Sequence, residues 1–270
     1  MAEFDLHELD RIFRARSVAL IGVSSNPRKL NGVPLEILRT TGFAGAIYPV
    51  NPKYDSLAGL QCYARIEDLP VAPDVAVVFT PASDVPAVID ACGRKGIRAA
   101  VVVSSGFEEE RGQQGRVAAL REACMRHGIV MIGPNCEGVW SVRSRVLLTF
   151  GSAARREHLA HRPIAILSQS GSISGALARH LQESGFGCAY VVSVGNETIV
   201  DILDCLEYML EQDDVALAML FLEGLHDGAR LLRLAEAARR RGIPIVALKS
   251  GNSARGSAAA ASHTGKLATP

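Results

Sequence analysis

The chain has almost no net charge: 29 Lys plus Arg stand against 28 Asp plus Glu, a formal balance of +1. No global field therefore draws it to nucleic acid or an anionic membrane, and an anionic ligand has to be held by a local site. Long hydrophobic runs are missing too; the longest, 215–222, falls far short of the ~18 residues of a membrane span. The first sixteen residues are acidic and amphipathic (Glu3, Asp5, Glu8, Asp10) and lack the basic start and apolar centre of a signal peptide. The six cysteines (Cys62, Cys92, Cys124, Cys136, Cys188, Cys205) form no C-x-x-C pair and no clustered framework, so they read as reduced thiols of a soluble, cytoplasmic protein.

At ~150 residues per domain, 270 residues predict two domains, and 48% hydrophobic with 21% charged residues is globular rather than disordered composition. Short runs rich in Val, Ile and Ala alternate with segments of helical period, the pattern of βαβ units. The fold class is α/β, with two tandem doubly wound parallel sheets. Strands are expected at 17–23, 46–50, 75–80, 99–104 and 129–132, with helices at 34–41, 83–95 and 113–127 between them. The pattern breaks into charge-rich text over 139–162, which places a domain boundary near residue 150 and predicts domains 1–150 and 151–270. A second series follows, with strands at 164–168, 189–194, 215–222 and 243–248 and helices at 173–184, 200–211 and 228–241. The small, polar stretch 249–270 adds no further strand, so the second domain is expected to be incomplete at its C-terminus.

Open α/β sheets bind ligands beyond the carboxyl ends of their strands, so the residues just after each run carry the chemistry. After the first run, Gly22, Ser24 and Ser25 allow close backbone approach to a phosphate, and Arg28 and Lys29 supply charge. The loop is neither G-x-G-x-x-G nor a Walker A sequence, and a polar turn before a helix is its plainer reading. Asn51 and Lys53 follow the second run, Thr80 and Pro81 the third, Ser105 and Gly106 the fourth, and Asn135 lies beyond the fifth. In the second domain Ser168, Ser170 and Gly171 open a helix whose amides would face an anion; simple N-capping is the alternative. A G-x-S-x-G nucleophile elbow is absent there. Glu223 follows the run at 215–222 directly, and His263 sits in Ser262-His263-Thr264-Gly265, where a surface-loop histidine is the plain alternative.

Taken in order, Gly22-Val23-Ser24-Ser25-Asn26, Val50-Asn51-Pro52-Lys53, Ser105-Gly106-Phe107, Gly133-Pro134-Asn135-Cys136-Glu137-Gly138, Ser168-Gln169-Ser170-Gly171, Ser193-Val194-Gly195-Asn196, Leu222-Glu223-Gly224, Leu248-Lys249-Ser250-Gly251 and Ser262-His263-Thr264-Gly265 form a series. It resembles the NDP-forming acyl-CoA synthetases, which include ADP-forming acetate–CoA ligase and are related to the succinyl-CoA synthetase α subunit.

The resemblance implies a Rossmann-like CoA-binding domain followed by a flavodoxin-like ligase domain. It implies that Gly22, Ser24, Ser25, Arg28, Lys29 and Lys53 line the nucleotide end of coenzyme A, and that Thr80, Pro81, Ser105, Gly106 and Asn135 line the pantetheine path. His263 would be the phosphorylated histidine, Glu223 the carboxylate that holds it, and Ser168, Ser170 and Gly171 the helix start that receives the phosphoryl group. A carboxylic acid, coenzyme A and an ATP-grasp domain, fused or separate, would be the partners, with ATP/ADP and Mg2+ on that missing part and an oligomer as the assembly. Only seven residues follow His263, and the abrupt Leu267-Ala268-Thr269-Pro270 ending favours a fragment of a longer enzyme over a separate subunit. A non-catalytic CoA or acyl-CoA sensor is the alternative function. An NAD-dependent dehydrogenase lacks its glycine fingerprint, and Asn51 stands where an acidic residue would be needed. The acid itself is not named by Phe107, Trp140 or Phe150, because one methylene is worth only ~1–3 kcal/mol of selectivity.

Overall fold

A computed structural model describes residues 4–107 and 114–251. The first half contains α1 (Asp10–Phe13), β1 (Ser17–Ile21), α2 (Val33–Thr40), β2 (Ala46–Val50), the small hairpin β3 (Ser56–Leu57) and β4 (Leu60–Gln61), β5 (Val75–Val78), α3 (Val85–Lys95), β6 (Ala99–Val102), α4 (Gln114–His127) and β7 (Val130–Ile132). Its sheet runs β2-β1-β5-β6-β7 and every pairing is parallel. All four residues of β5 (VAVV) and of β6 (AAVV) are buried. A parallel sheet covered on both faces requires such unbroken apolar runs rather than alternation.

The second half contains β8 (Gly138–Ser141), β9 (Val146–Thr149), β10 (Ile164–Ser168), α5 (Gly171–Glu183), β11 (Tyr190–Ser193), α6 (Ile202–Leu210), β12 (Leu217–Leu222), α7 (Gly228–Arg240) and β13 (Ile245–Lys249). Its sheet order is β13-β12-β10-β11-β8-β9. The four βαβ strands are parallel, as expected, but β8 pairs antiparallel with both β11 and β9. The hairpin at 138–149 precedes the boundary expected near residue 150 yet is hydrogen-bonded into the second sheet. Its eight strand residues are all buried, so no period-2 alternation marked them as strands.

One apolar cluster runs through both halves, joining Leu20, Val77 and Val101 of the first sheet to Leu167, Val192 and Leu220 of the second. The amphipathic N-terminal segment supplies the wedge between them. Phe13 of α1 is fully buried, stacks on Tyr208 at 5.2 Å and meets Tyr190 edge-on at 5.8 Å. Asp10 accepts a 2.6 Å hydrogen bond from the Tyr208 hydroxyl, and Arg14 donates to Gln212 at 2.8 Å. Asp10, noted in the sequence, thus ties the segment to α6, and Arg14 ties it to the turn beyond α6, at the edge of the apolar contact. All six cysteines are buried and unpaired. No helix among the described residues is long and apolar enough to cross a membrane.

Candidate functional site

In each sheet one strand has its successors on opposite sides: β1 sits between β2 and β5, and β10 between β11 and β12. At such a switch point the connecting loops diverge and leave a crevice at the carboxyl edge. Here both carboxyl edges open into a single cavity of about 620 Å3, a volume suited to a small ligand. Asn31, Phe79, Ser105 and Asn135 line it from the first half; Ser170, Gly171 and Asn196 line it from the second.

The two halves are stitched at this edge through the 133–138 loop. Pro134 and Gly133 carbonyls accept from the Asn196 and Thr198 amides at 2.9 and 3.3 Å, the Asn135 side chain donates to that of Asn196 at 3.3 Å, and the Glu137 amide donates to Ser193 Oγ at 3.0 Å. Gly195, at φ +59°, makes this approach possible: a Cβ there would lie 2.2 Å from the Pro134 carbonyl oxygen.

The loop after β1 is held by its own polar groups. Asn31 donates to the Gly22 carbonyl at 2.6 Å, Asn51 to the Val23 carbonyl at 2.8 Å, and the Ser24 amide to the Asn31 carbonyl at 3.0 Å. Ser24 and Ser25 line a separate groove with Pro27 and Arg39 beside the main crevice. Arg28, Lys29 and Lys53 are exposed at the same edge. Tyr54 joins this group: its hydroxyl lies 3.3 Å from Ser25 Oγ, and hydrogen bonds to Ser25 and Ser24 hold its ionisation below the usual tyrosine range, helped by Lys29. Thr80, Pro81 and Gly106 do not line the crevice; Ser104 Oγ donates to the Thr80 carbonyl at 2.5 Å, and Thr80 Oγ1 is buried without a partner among the described residues.

On the second sheet Ser170 occupies the N-cap of α5, yet its hydroxyl makes no capping bond and instead lies 3.2 Å from Ser172 Oγ. The plainer expectation of simple N-capping is therefore not what the hydroxyl does. Ser168 lies beneath, buried, with its Oγ donating to the Ser170 carbonyl at 2.7 Å and accepting from the Ser170 amide at 3.0 Å. Between them Gln169 bridges two strand tips. Its Oε1 accepts from the Glu223 and Gly224 amides at 2.6 and 3.0 Å, and its Nε2 donates to Glu197 at 2.9 Å and to the Gly224 carbonyl at 2.8 Å. Glu223 is partly buried at the end of β12 and stands beside the start of α5 through this bridge. His263 lies outside the described residues.

Sequence reading passed over Gln169, Tyr54 and Glu137. Gln169 stood inside a motif already marked, but a glutamine between two serines carries no local signal of the bridge it makes. Burial pushes the Glu137 carboxyl up to about 7, with Arg179 acting in the opposite direction. Of the aromatic residues considered for acid selectivity, Phe107 and Trp140 are core side chains, while Phe150 lines the crevice.

A family model described as a CoA binding domain matches residues 16–141, and one described as a succinyl-CoA ligase like flavodoxin domain matches 161–270. The fold is thus that of a CoA binding domain followed by a succinyl-CoA ligase like flavodoxin domain. Acetate–CoA ligase [ADP-forming] I of Archaeoglobus fulgidus is 36% identical over 261 residues, covering 96% of this chain and 37% of that protein. The acetate–CoA ligase [ADP-forming] II subunit alpha of Pyrococcus furiosus is 34% identical over 263 residues, covering 96% of this chain and 56% of that subunit. Among solved structures, an acetyl-coenzyme A synthetase 1 of Ca. Korarchaeum cryptofilum, in complex with phosphate and ADP, superposes with a TM-score of 0.89 at 34% identity, covering 97% of this chain and 56% of that one. The chain belongs to the NDP-forming acyl-CoA synthetase family. It spans between about a third and somewhat over half the length of these relatives.

Proposed function

We propose that this chain is the CoA-binding and phosphohistidine-carrying portion of an acid–thiol ligase that converts a carboxylic acid, coenzyme A and ATP to acyl-CoA, ADP and phosphate. The observation that carries the reading is the single crevice into which both switch points open, with the start of α5 facing the tips of β5, β6 and β7. Two reactants held by different domains can meet there.

Coenzyme A would enter along the first sheet, its phosphates against Ser24, Ser25, Arg28, Lys29 and Lys53 beside Gly22, and its pantetheine along Thr80, Pro81, Ser105, Gly106 and Asn135. The α5 start, with Ser168, Ser170 and Gly171, would hold phosphoryl oxygens through amides and hydroxyls. Glu223 would accept the other ring N–H of His263, which fixes the tautomer and raises the nucleophilicity of the reacting nitrogen. The phosphoryl group passes from phosphohistidine to the acid, and the thiol then displaces phosphate from the acyl phosphate. An ATP-grasp partner, fused or separate, would bind ATP/ADP with Mg2+ and recharge the histidine. Six buried, unpaired thiols suit a cytoplasmic enzyme.

The test is incubation of the complete synthetase with acyl-CoA and phosphate, followed by analysis for acid-labile, base-stable phosphate on His263. The label is expected in the parent and absent from His263→Asn, and Glu223→Gln should lower its yield. A CoA sensor would bind CoA and carry no such phosphate, and that result would overturn the ligase reading.

A further inference from the structure

Glu137 stands where the crevice meets a second cavity of about 610 Å3, lined also by Phe150, Gly151, Gly175, Ala176 and Arg179. Its backbone is pinned on both sides: the amide donates to Ser193 Oγ at 3.0 Å and the carbonyl accepts from Thr149 Oγ1 at 2.8 Å. The carboxylate accepts no hydrogen bond from any described residue. Two glycines make its place. A Cβ on Gly151 would fall 1.8 Å from Oε1, and one on Gly175 would fall 2.8 Å from both oxygens.

A partly buried carboxylate that faces two cavities and has no donor among the described residues is open to one brought by a ligand. The nature of that donor follows from the surroundings. Arg179 already supplies positive charge on this side, and its guanidinium is held by a 2.5 Å hydrogen bond to Ser152 Oγ. A second cation would meet that charge, and a second carboxylate would meet Glu137 itself. A hydroxyl satisfies the acceptor without adding charge, and Phe150 offers apolar surface for the carbon chain that bears it.

We propose that Glu137 is a specificity residue that accepts a hydrogen bond from a hydroxyl on the acyl chain, which makes hydroxy acids the preferred substrate class of this enzyme. The inference rests on the ligase reading above, with the acid's carboxylate at the α5 start and its chain directed past Glu137 into the second cavity. Ionised, as it is above about pH 7, this acceptor is worth roughly ten- to hundredfold between a hydroxylated acid and its deoxy analogue, so the pairs are compared at pH 8.

The experiment measures kcat/KM for thioester formation by the complete synthetase with matched pairs: 3-hydroxypropanoate and propanoate, 4-hydroxybutanoate and butanoate, 4-hydroxyphenylacetate and phenylacetate. The hydroxylated member of at least one pair is expected to be favoured tenfold or more. In Glu137→Leu that preference should fall by tenfold or more, chiefly through KM of the hydroxylated acid, while Glu137→Gln, which keeps shape and an acceptor oxygen, should retain part of it. Equal use of both members of every pair overturns the proposal, as does a preference that survives in both variants. Phosphohistidine on His263 separates the two failures: its presence without hydroxyl preference removes only the role of Glu137, and its absence with no thioester from any acid removes the ligase reading as well.

Discussion

Replacing Glu137 by Gln should change how stability depends on pH, and the size of the change follows from burial. The carboxyl titrates at about 7 in the folded chain against an ordinary value of 4.5, a difference of about 2.5 units. The unfolded chain therefore ionises first, and between the two values the folded state binds more protons. Stability contributed by this group is greatest below 4.5 and declines as pH rises to about 7. The whole loss approaches ~3 kcal/mol at 1.36 kcal/mol per unit, of which about 2–3 kcal/mol falls between pH 5 and pH 8. Gln does not titrate, and groups common to both proteins cancel in the difference, including Asp204, which burial also raises. Urea unfolding can be followed through Trp140, the single tryptophan, which is buried in β8 three residues from Glu137. The stability of Glu137→Gln relative to the parent should rise by about 2–3 kcal/mol from pH 5 to pH 8. Parallel pH profiles, within about 0.5 kcal/mol across that range, would refute the placement of this carboxyl out of water.

Calorimetric titration of the chain should show CoA binding that weakens with salt and with loss of the 3′-phosphate, because Arg28, Lys29 and Lys53 are exposed cations at the edge proposed for the nucleotide; binding of NAD in its place would contradict that proposal. Gly195→Ala should cost about 2–4 kcal/mol, since it combines a positive φ with a Cβ 2.2 Å from the Pro134 carbonyl oxygen. A thermal melt matching the parent's would show that the two halves do not meet at Gly195.

The βαβ series was legible because buried parallel strands are unbroken apolar runs, and β2 and β10 have the bounds expected from sequence. The hairpin at 138–149 was not, because its residues read as irregular text between charged positions and its strand character comes from pairing with β11 across the sheet. The strand-tip rule located the loops of the candidate site but not what lies within them. Ser105, Asn135, Ser170 and Gly171 meet in one crevice, while Ser24 and Ser25 face a groove beside it. Gln169 could not be weighed before its four hydrogen bonds were known, since a glutamine between two serines has no local pattern that separates a bridge from a solvated turn.

The same reasoning explains why the chemistry needs both sheets. On the proposed mechanism, a thiol held by the first and an acyl phosphate held by the second react only if the two carboxyl edges are held within a few ångströms of each other. The 133–138 loop does this by leaving the last strand of the first sheet, bonding to the turn after β11 and entering β8 of the second. Because that loop also carries Asn135 in the crevice proposed for CoA and Glu137 where the crevice meets the second cavity, the segment that fixes the domains also shapes the passage between them. A substitution there that shifts the domains should therefore alter CoA affinity and acid preference together, whereas a change confined to the Glu137 side chain should alter acid preference alone.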